Sequence, residues 1–204
     1  VMMGTPTAVP PIWLSSLDKE MFTEDLCGHR LAHGGRRHAC SNNPTYLEHC
    51  DKIVTALARE FGDDENIIGW QIDNEIYLQE CHCKHCDNKF RKYLKAKYGS
   101  IEELNKRWNL NLFSQAYRSF EDIATPRLGW MNPQHKMEYM NFDGDNQIEF
   151  VARQAAILKK YVKAPIGTDQ MPLNRMNYRK MHRPLDVIQF NHYNVPGNLW
   201  ETGL

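Results

Sequence analysis

The stretch Gly69-Trp-Gln-Ile-Asp-Asn-Glu75 decides how this chain is read. Together with Ile67 and Ile68 it is almost continuously apolar up to Ile72, the pattern of a strand buried on both faces of a parallel sheet. Its C-terminal tip then presents Asp73, Asn74 and Glu75. Strand tips of this kind are where parallel α/β enzymes place their reactive groups. A bunch of thiols, Cys81-His-Cys83-Lys-His-Cys86, follows almost at once.

Working outward, Val1 to Thr5 reads as a strand running into the proline-rich Thr5-Pro-Thr-Ala-Val-Pro-Pro-Ile-Trp-Leu14. Residues 15–43 lack periodicity and hold the basic group His29, Arg30, Arg36, Arg37 and His38. Leu47, Cys50, Val54, Leu57, Ala58 and Phe61 recur at helical steps, predicting a helix over Pro44–Phe61 with Asn43 as its cap. Phe90, Leu94 and Tyr98 mark a second helix, and Ser100 to Glu103 has the form of a capping box opening a third. Residues 110–143 read as a long irregular loop, followed by a helix striped by Ile148, Val151, Ala155, Leu158 and Val162. Two more strands are expected at 164–168 and 185–190. Single strands alternating with helices argue a parallel α/β sheet of four strands, about half of an eight-stranded barrel.

At 204 residues, with 42% hydrophobic content, the chain is long enough to bury a core. Its formal net charge is zero, and one short basic patch is a poor nucleic-acid footprint, so nucleic acid is not an expected partner. No apolar run approaches the roughly 20 residues that a membrane span needs. The start, Val1-Met-Met-Gly-Thr-Pro6, reads as a strand already under way, which suggests a piece of a longer protein.

Cys27, Cys40, Cys50, Cys81, Cys83 and Cys86 crowd the first half of the chain, a distribution suited to a reduced, cytoplasmic, metal-binding protein rather than a disulfide scaffold. Cys81-x-Cys-x-x-Cys86 supplies three soft ligands where tetrahedral zinc takes four. From the residues alone the fourth is open among Cys40, Cys50, Cys27, His82 and His85, with Cys50 better suited to the apolar stripe of its helix.

A strand-end Glu preceded by Asn suits glycosidic-bond cleavage. One carboxylic acid protonates the leaving oxygen, and in retaining enzymes a second carboxylate stands ~5 Å away. An Asn-Glu pair at a strand end also serves simply to cap the next turn. Three blocks carry a closer likeness: Gly69 to Glu75, the run Gly4-Thr-Pro-Thr-Ala-Val-Pro-Pro-Ile-Trp-Leu14, and Gly35-Arg-Arg-His-Ala-Cys40. They are joined by Cys81-x-Cys-x-x-Cys86 through Leu94-x-x-Lys-Tyr-Gly99-Ser-Ile-Glu-Glu-Leu-Asn-Lys-Arg-Trp108. In these the chain resembles glycoside hydrolase family 42, the β-galactosidases.

That resemblance implies a TIM (β/α)8 barrel, partial here, with roughly strands three to six in one catalytic domain spanning 1–204. It implies retaining hydrolysis of terminal β-D-galactosides, with Glu75 as acid/base and Asn74 and Tyr193 as substrate-binding residues. It makes Cys40 the fourth ligand of a structural Zn²⁺ held by Cys40, Cys81, Cys83 and Cys86, stapling the loop after Glu75 to the 30–43 loop. It also implies a homo-oligomer, trimeric in the family. The family's nucleophilic Glu lies beyond the strand expected at 185–190, where Glu201 is the one carboxylate and does not match its setting. The 204-residue piece is therefore expected to be inactive alone. The rival reading is a non-catalytic, zinc-stapled α/β module binding sugar or protein. Among the aromatics, Tyr117, Trp130, Phe142, Tyr193 and Trp200 are candidates to stack on a sugar, Tyr193 being the best placed.

Overall fold

The computed structural model describes residues 1–129, 132–171 and 175–191. Its elements run in the order β1 (Met2–Gly4), α1 (Ile12–Leu17), α2 (Pro44–Phe61), β2 (Gly69–Ile76), α3 (Lys84–Tyr98), α4 (Ile101–Arg107), α5 (Pro133–Leu158), β3 (Ile166–Gln170) and α6 (Tyr178–Met181), with short 3-10 turns between. The chain divides into two compact units. The first comprises Val1–Pro10, Leu47–Leu78 and Gly144–Leu204; the second comprises Pro11–Tyr46 and Gln79–Asp143.

The first unit holds a parallel sheet in the order β1-β2-β3. Met2 pairs with Gly69 and Trp70 with Ile166, so β2 is central and flanked on both sides. Trp70, Ile72 and Ile76 are fully buried, as the apolar run requires of a strand covered on both faces. Gly62, just past α2, lies so close to the carbonyls of Ala58 and Tyr161 that a Cβ would collide with backbone on both sides. Gly62→Ala is expected to destabilise the first unit by about 1–3 kcal/mol, the usual cost of overpacking. A thermal midpoint equal to the parent's would contradict this.

Three departures from the sequence reading have physical causes. First, no strand forms at 185–190. Asp186 and Val187 donate to the Ile166 carbonyl and Asn191 to that of Gln170, so the segment runs beside β3 tied at its ends and without a ladder. The side chains of Gln189 and Val187 press against Gly167, where only a residue without a Cβ leaves them room. Secondly, α5 begins at Pro133, so the last third of the expected loop is helical. The apolar stripe is broken in its first turns because polar residues occupy buried positions: Glu138, Asp143, Asn146 and Gln147 are all nearly inaccessible. Thirdly, only half of the capping box forms. Ser100 Oγ accepts from the Glu103 amide (3.2 Å), while the Glu103 carboxylate takes Arg107 at 2.6 Å.

Two further differences concern extent: α1 forms at Ile12–Leu17, where no helix was expected, and β3 runs Ile166–Gln170 rather than over 164–168, whereas α2 follows its reading. Asn43 Oδ1 accepts from the Tyr46 amide at 2.9 Å and caps α2, which opens on Pro44 and spans the expected residues. In the second unit Phe90, Leu94, Leu104, Trp108, Leu110, Phe120, Ile123, Tyr139 and Phe142 form one apolar cluster. Phe142 is therefore core, and Tyr117 packs against the same cluster. The basic patch dissolves in part, since Arg37 and His38 are buried. No described helix is long and apolar enough to cross a membrane.

Candidate active site and metal centre

In the first unit the site is built on an irregularity of β2. Between Ile72, opposite Thr168, and Ile76, opposite Gln170, the register shifts, so β2 carries extra chain against β3. Asp73 and Glu75 take left-handed backbone angles (φ 55° and 48°), which L-residues adopt at a cost of roughly 1–2 kcal/mol each. Bulges of this kind re-aim side chains beside active sites. Glu75 is thus inside the strand as assigned, three residues further along than its apolar run, and half-buried.

Buried hydroxyls hold this conformation. Thr5 Oγ1 accepts from the Asp73 amide at 2.8 Å, and Thr7 Oγ1 donates to Asp73 Oδ2 at 2.6 Å. Asp73 Oδ1 accepts from the Asn74 amide at 2.7 Å. Gln154 Oε1, on α5, accepts from Thr5 Oγ1 at 2.9 Å and sits 3.3 Å from Thr7 Oγ1. A buried polar residue of α5 thus supports the strand tip. On the other side, Asn191 Nδ2 donates to Glu75 Oε1 at 2.7 Å and to Asp169 Oδ2 at 3.0 Å. Asn74 is half-buried next to Glu75.

The sequence reading singled out Glu75 and Asn74 but missed Thr5, Thr7, Gln154 and Asp169. The one signal for Asp169 was its place directly after the strand expected at 164–168. Tyr193, Trp130, Trp200, His192 and Glu201 lie outside the described residues.

In the second unit Cys40, Cys81, Cys83 and Cys86 converge, all buried, with their sulfurs within 4.8 Å of one another. Cys40 Sγ lies 3.5 Å from that of Cys86 and 3.6 Å from that of Cys83, and Cys83 to Cys86 is 3.9 Å. Thiolates about 2.3 Å from a tetrahedral ion stand about 3.8 Å apart, so the four sulfurs already outline a coordination shell. Asn42 donates its backbone N–H to Cys40 Sγ (3.4 Å) and its side-chain amide to Cys86 Sγ (3.3 Å), as suits sulfurs carrying negative charge. Proton sharing with Cys81, Cys83 and Cys86, together with burial, holds the Cys40 thiol well above its ordinary range, while the same neighbours hold Cys83 well below it. A cation bound by such a cluster would displace the protons that remain. A group of this composition could bind a metal.

The surrounding loop is latched by Gln79, whose Oε1 accepts from Ser41 N (3.0 Å) and Ser41 Oγ (3.1 Å) while its amide reaches the Ala39 carbonyl. His82 and His85 stay out of the cluster. Cys50 is buried in α2 and Cys27 is exposed.

His82 is stacked on Tyr139, whose hydroxyl donates to the Cys81 carbonyl at 2.8 Å. Burial and then the charge of Arg127 lower its pKa to about 4. His135, between the rings of Phe90 and Trp108, is likewise lowered by burial. Both bind protons less readily when folded than when unfolded. Below the unfolded value of about 6.5 the unfolded chain binds more protons, so stability is lost as pH falls from there towards 4. The thermal midpoint is expected to fall steadily from pH 7 to pH 4.5, and a flat profile would contradict this.

A parallel sheet with helical crossovers and a carboxylate and amide at a bulged strand tip define a partial (β/α)8 barrel of the glycosidase type. The family model described as Beta-galactosidase matches residues 1–202, and the chain belongs to glycoside hydrolase family 42. A β-galactosidase of Thermus thermophilus is 40% identical over 173 residues, covering 82% of this chain and 27% of the relative. Two solved structures superpose with TM-scores of 0.89. The polyextremophilic β-galactosidase of the Antarctic haloarchaeon Halorubrum lacusprofundi is 30% identical, with 94% of this chain and 30% of that one covered. The β-galactosidase of the psychrophilic Marinomonas ef1 is 31% identical, with 95% and 30% covered. The chain thus spans roughly a third of the length of these relatives.

Proposed function

We propose that this chain carries the acid/base side of a retaining β-galactosidase site, with Glu75 protonating the leaving glycosidic oxygen and then deprotonating water. The observation that supports this most is the half-buried Glu75 on a bulged strand tip, hydrogen-bonded through Oε1 and held beside Asn74. Asn74 would hydrogen-bond a sugar hydroxyl, a contact that strengthens as the ring approaches its oxocarbenium-like transition state. Tyr193 remains a proposed sugar contact on the family resemblance. The second carboxylate that retention requires is placed by the same resemblance beyond residue 190, and the 204-residue chain assayed alone is expected to turn over negligibly.

The four thiols are proposed to hold Zn²⁺. Four thiolates close the coordination shell, so the ion would be structural rather than catalytic. Both units are proposed to belong to one catalytic domain, in line with the family match across 1–202. Association into a homo-oligomer and a reducing, cytoplasmic setting complete the proposal, the latter resting on cysteines bunched in the first half of the chain at metal-ligand spacing.

A chimera tests the assignment. Residues 1–202 replace the matched segment of the Thermus thermophilus relative, and hydrolysis of a nitrophenyl β-galactoside is measured. Turnover by the chimera, lost on Glu75→Gln, is the expected result. A chimera that binds β-galactosides without turnover would favour a binding module instead.

A further inference from the structure

We propose that Asn191 is a positioning residue for Glu75 and that Asp169, across the same amide, makes Glu75 one member of a coupled carboxyl pair. The inference rests on the acid/base reading of Glu75 and deepens it. An amide nitrogen has two protons, and Asn191 Nδ2 has two carboxylates within reach: Glu75 Oε1 at 2.7 Å and Asp169 Oδ2 at 3.0 Å. The nitrogen must be the atom that faces them, because an amide oxygen would meet only acceptors there. The backbone fixes the clamp, since the Asn191 amide donates to the Gln170 carbonyl at 2.8 Å, next to Asp169 in β3.

One consequence follows from the chemistry of the pair. Asp169 is 8% exposed, and a buried negative charge on the far side of one amide raises the proton affinity of its neighbour. Glutamate is intrinsically the weaker acid (about 4.3 against about 3.9) while burial disfavours charge on Asp169, so the two carboxyls titrate as one coupled pair. Asp73, on the same strand, is the third carboxylate here; its oxygens accept from Thr7 and the Asn74 amide. His182 enters through Gln170, their side-chain nitrogens 2.9 Å apart. A glycosidase acid has to keep its proton near neutral pH, and a bridged pair is a means of doing so.

The test is a carboxyl ¹³C NMR titration of the 204-residue protein, with the Glu75 resonance assigned by its loss in Glu75→Gln. The Glu75 midpoint is expected above the ordinary value of about 4.3. Asp169→Asn, nearly isosteric, is expected to lower it by about one pH unit, a tenfold loss of proton affinity. Asn191→Ala is expected to raise it, because a donor to the charged form is removed. Opposite signs separate this arrangement from a merely structural role, which would move both variants alike. Glu75 midpoints unchanged in both variants, or shifted in the same direction, would overturn the proposal. Turnover plays no part in this measurement. An inactive chimera with the expected titration would therefore remove the catalytic reading and leave the pair standing, and the reverse result would do the opposite.

Discussion

Glu75→Gln in the chimera is expected to lower hydrolysis of the nitrophenyl β-galactoside by about 10²–10⁴-fold, the usual contribution of a positioned general acid–base. Glutamine keeps the volume and can still face Asn191, but it has no proton to give and cannot activate water. The loss should be smaller for a leaving group that needs no protonation, because then only the second, hydrolytic step calls on the base. A nitrophenolate and an alkyl galactoside should therefore separate, with the alkyl substrate suffering more. Equal activity of the Gln variant and its parent on both substrates would remove Glu75 from the mechanism.

The second large effect is expected at the thiols. Protein purified without chelators is expected to hold about one zinc ion per chain, and Cys81→Ser to lose it. Structural zinc sites contribute roughly 10–16 kcal/mol in small peptides, so losing the ion is expected to cost at least the ~3 kcal/mol that one thiolate in four would carry. For a unit of this size, that minimum lowers the thermal midpoint by roughly 10–20 °C. Cys27→Ser provides the control: Cys27 is exposed, outside the four-thiol cluster and grouped instead with Asp25 and His29, and its replacement should change neither the zinc held by the four thiols nor the melting. Metal retained by Cys81→Ser, or absent from the parent protein, would sink the assignment.

Where hydrophobic pattern and burial coincide, the sequence was a faithful guide. The α2 stripe, its Asn43-Pro44 opening, the buried run into β2 and the Cys40–Cys86 set could all be read from residues or from the family resemblance carried by short blocks. It failed where polar groups are buried against each other. The first turns of α5 looked like loop because Glu138, Asp143, Asn146 and Gln147 occupy inward positions, and periodicity counts such residues as surface. The 185–190 segment has strand-like residues, but its ties to β3 depend on Gly167 and on hydrogen bonds at its two ends, which no local pattern records. The candidate site was half legible. Asn74 and Glu75 stand out as a pair, whereas Thr5, Thr7, Asp169 and Asn191 reach the same strand tip from distant parts of the sequence. The left-handed angles of Asp73 and Glu75 likewise depend on that tertiary support.

The spacing of the four thiols also bears on how the second unit comes together. Cys81, Cys83 and Cys86 lie within one loop and the first turn of α3, so an ion could be captured there as soon as that short segment is made. Cys40 must arrive from far upstream, and closing so long a loop carries an entropic penalty that grows only slowly with length. On the proposed metal, folding would proceed from a loosely held three-thiolate nucleus to a closed four-thiolate knot, with the arrival of Cys40 as the committing event. Zinc supply during synthesis, rather than substrate, would then set how much of the protein reaches its native state.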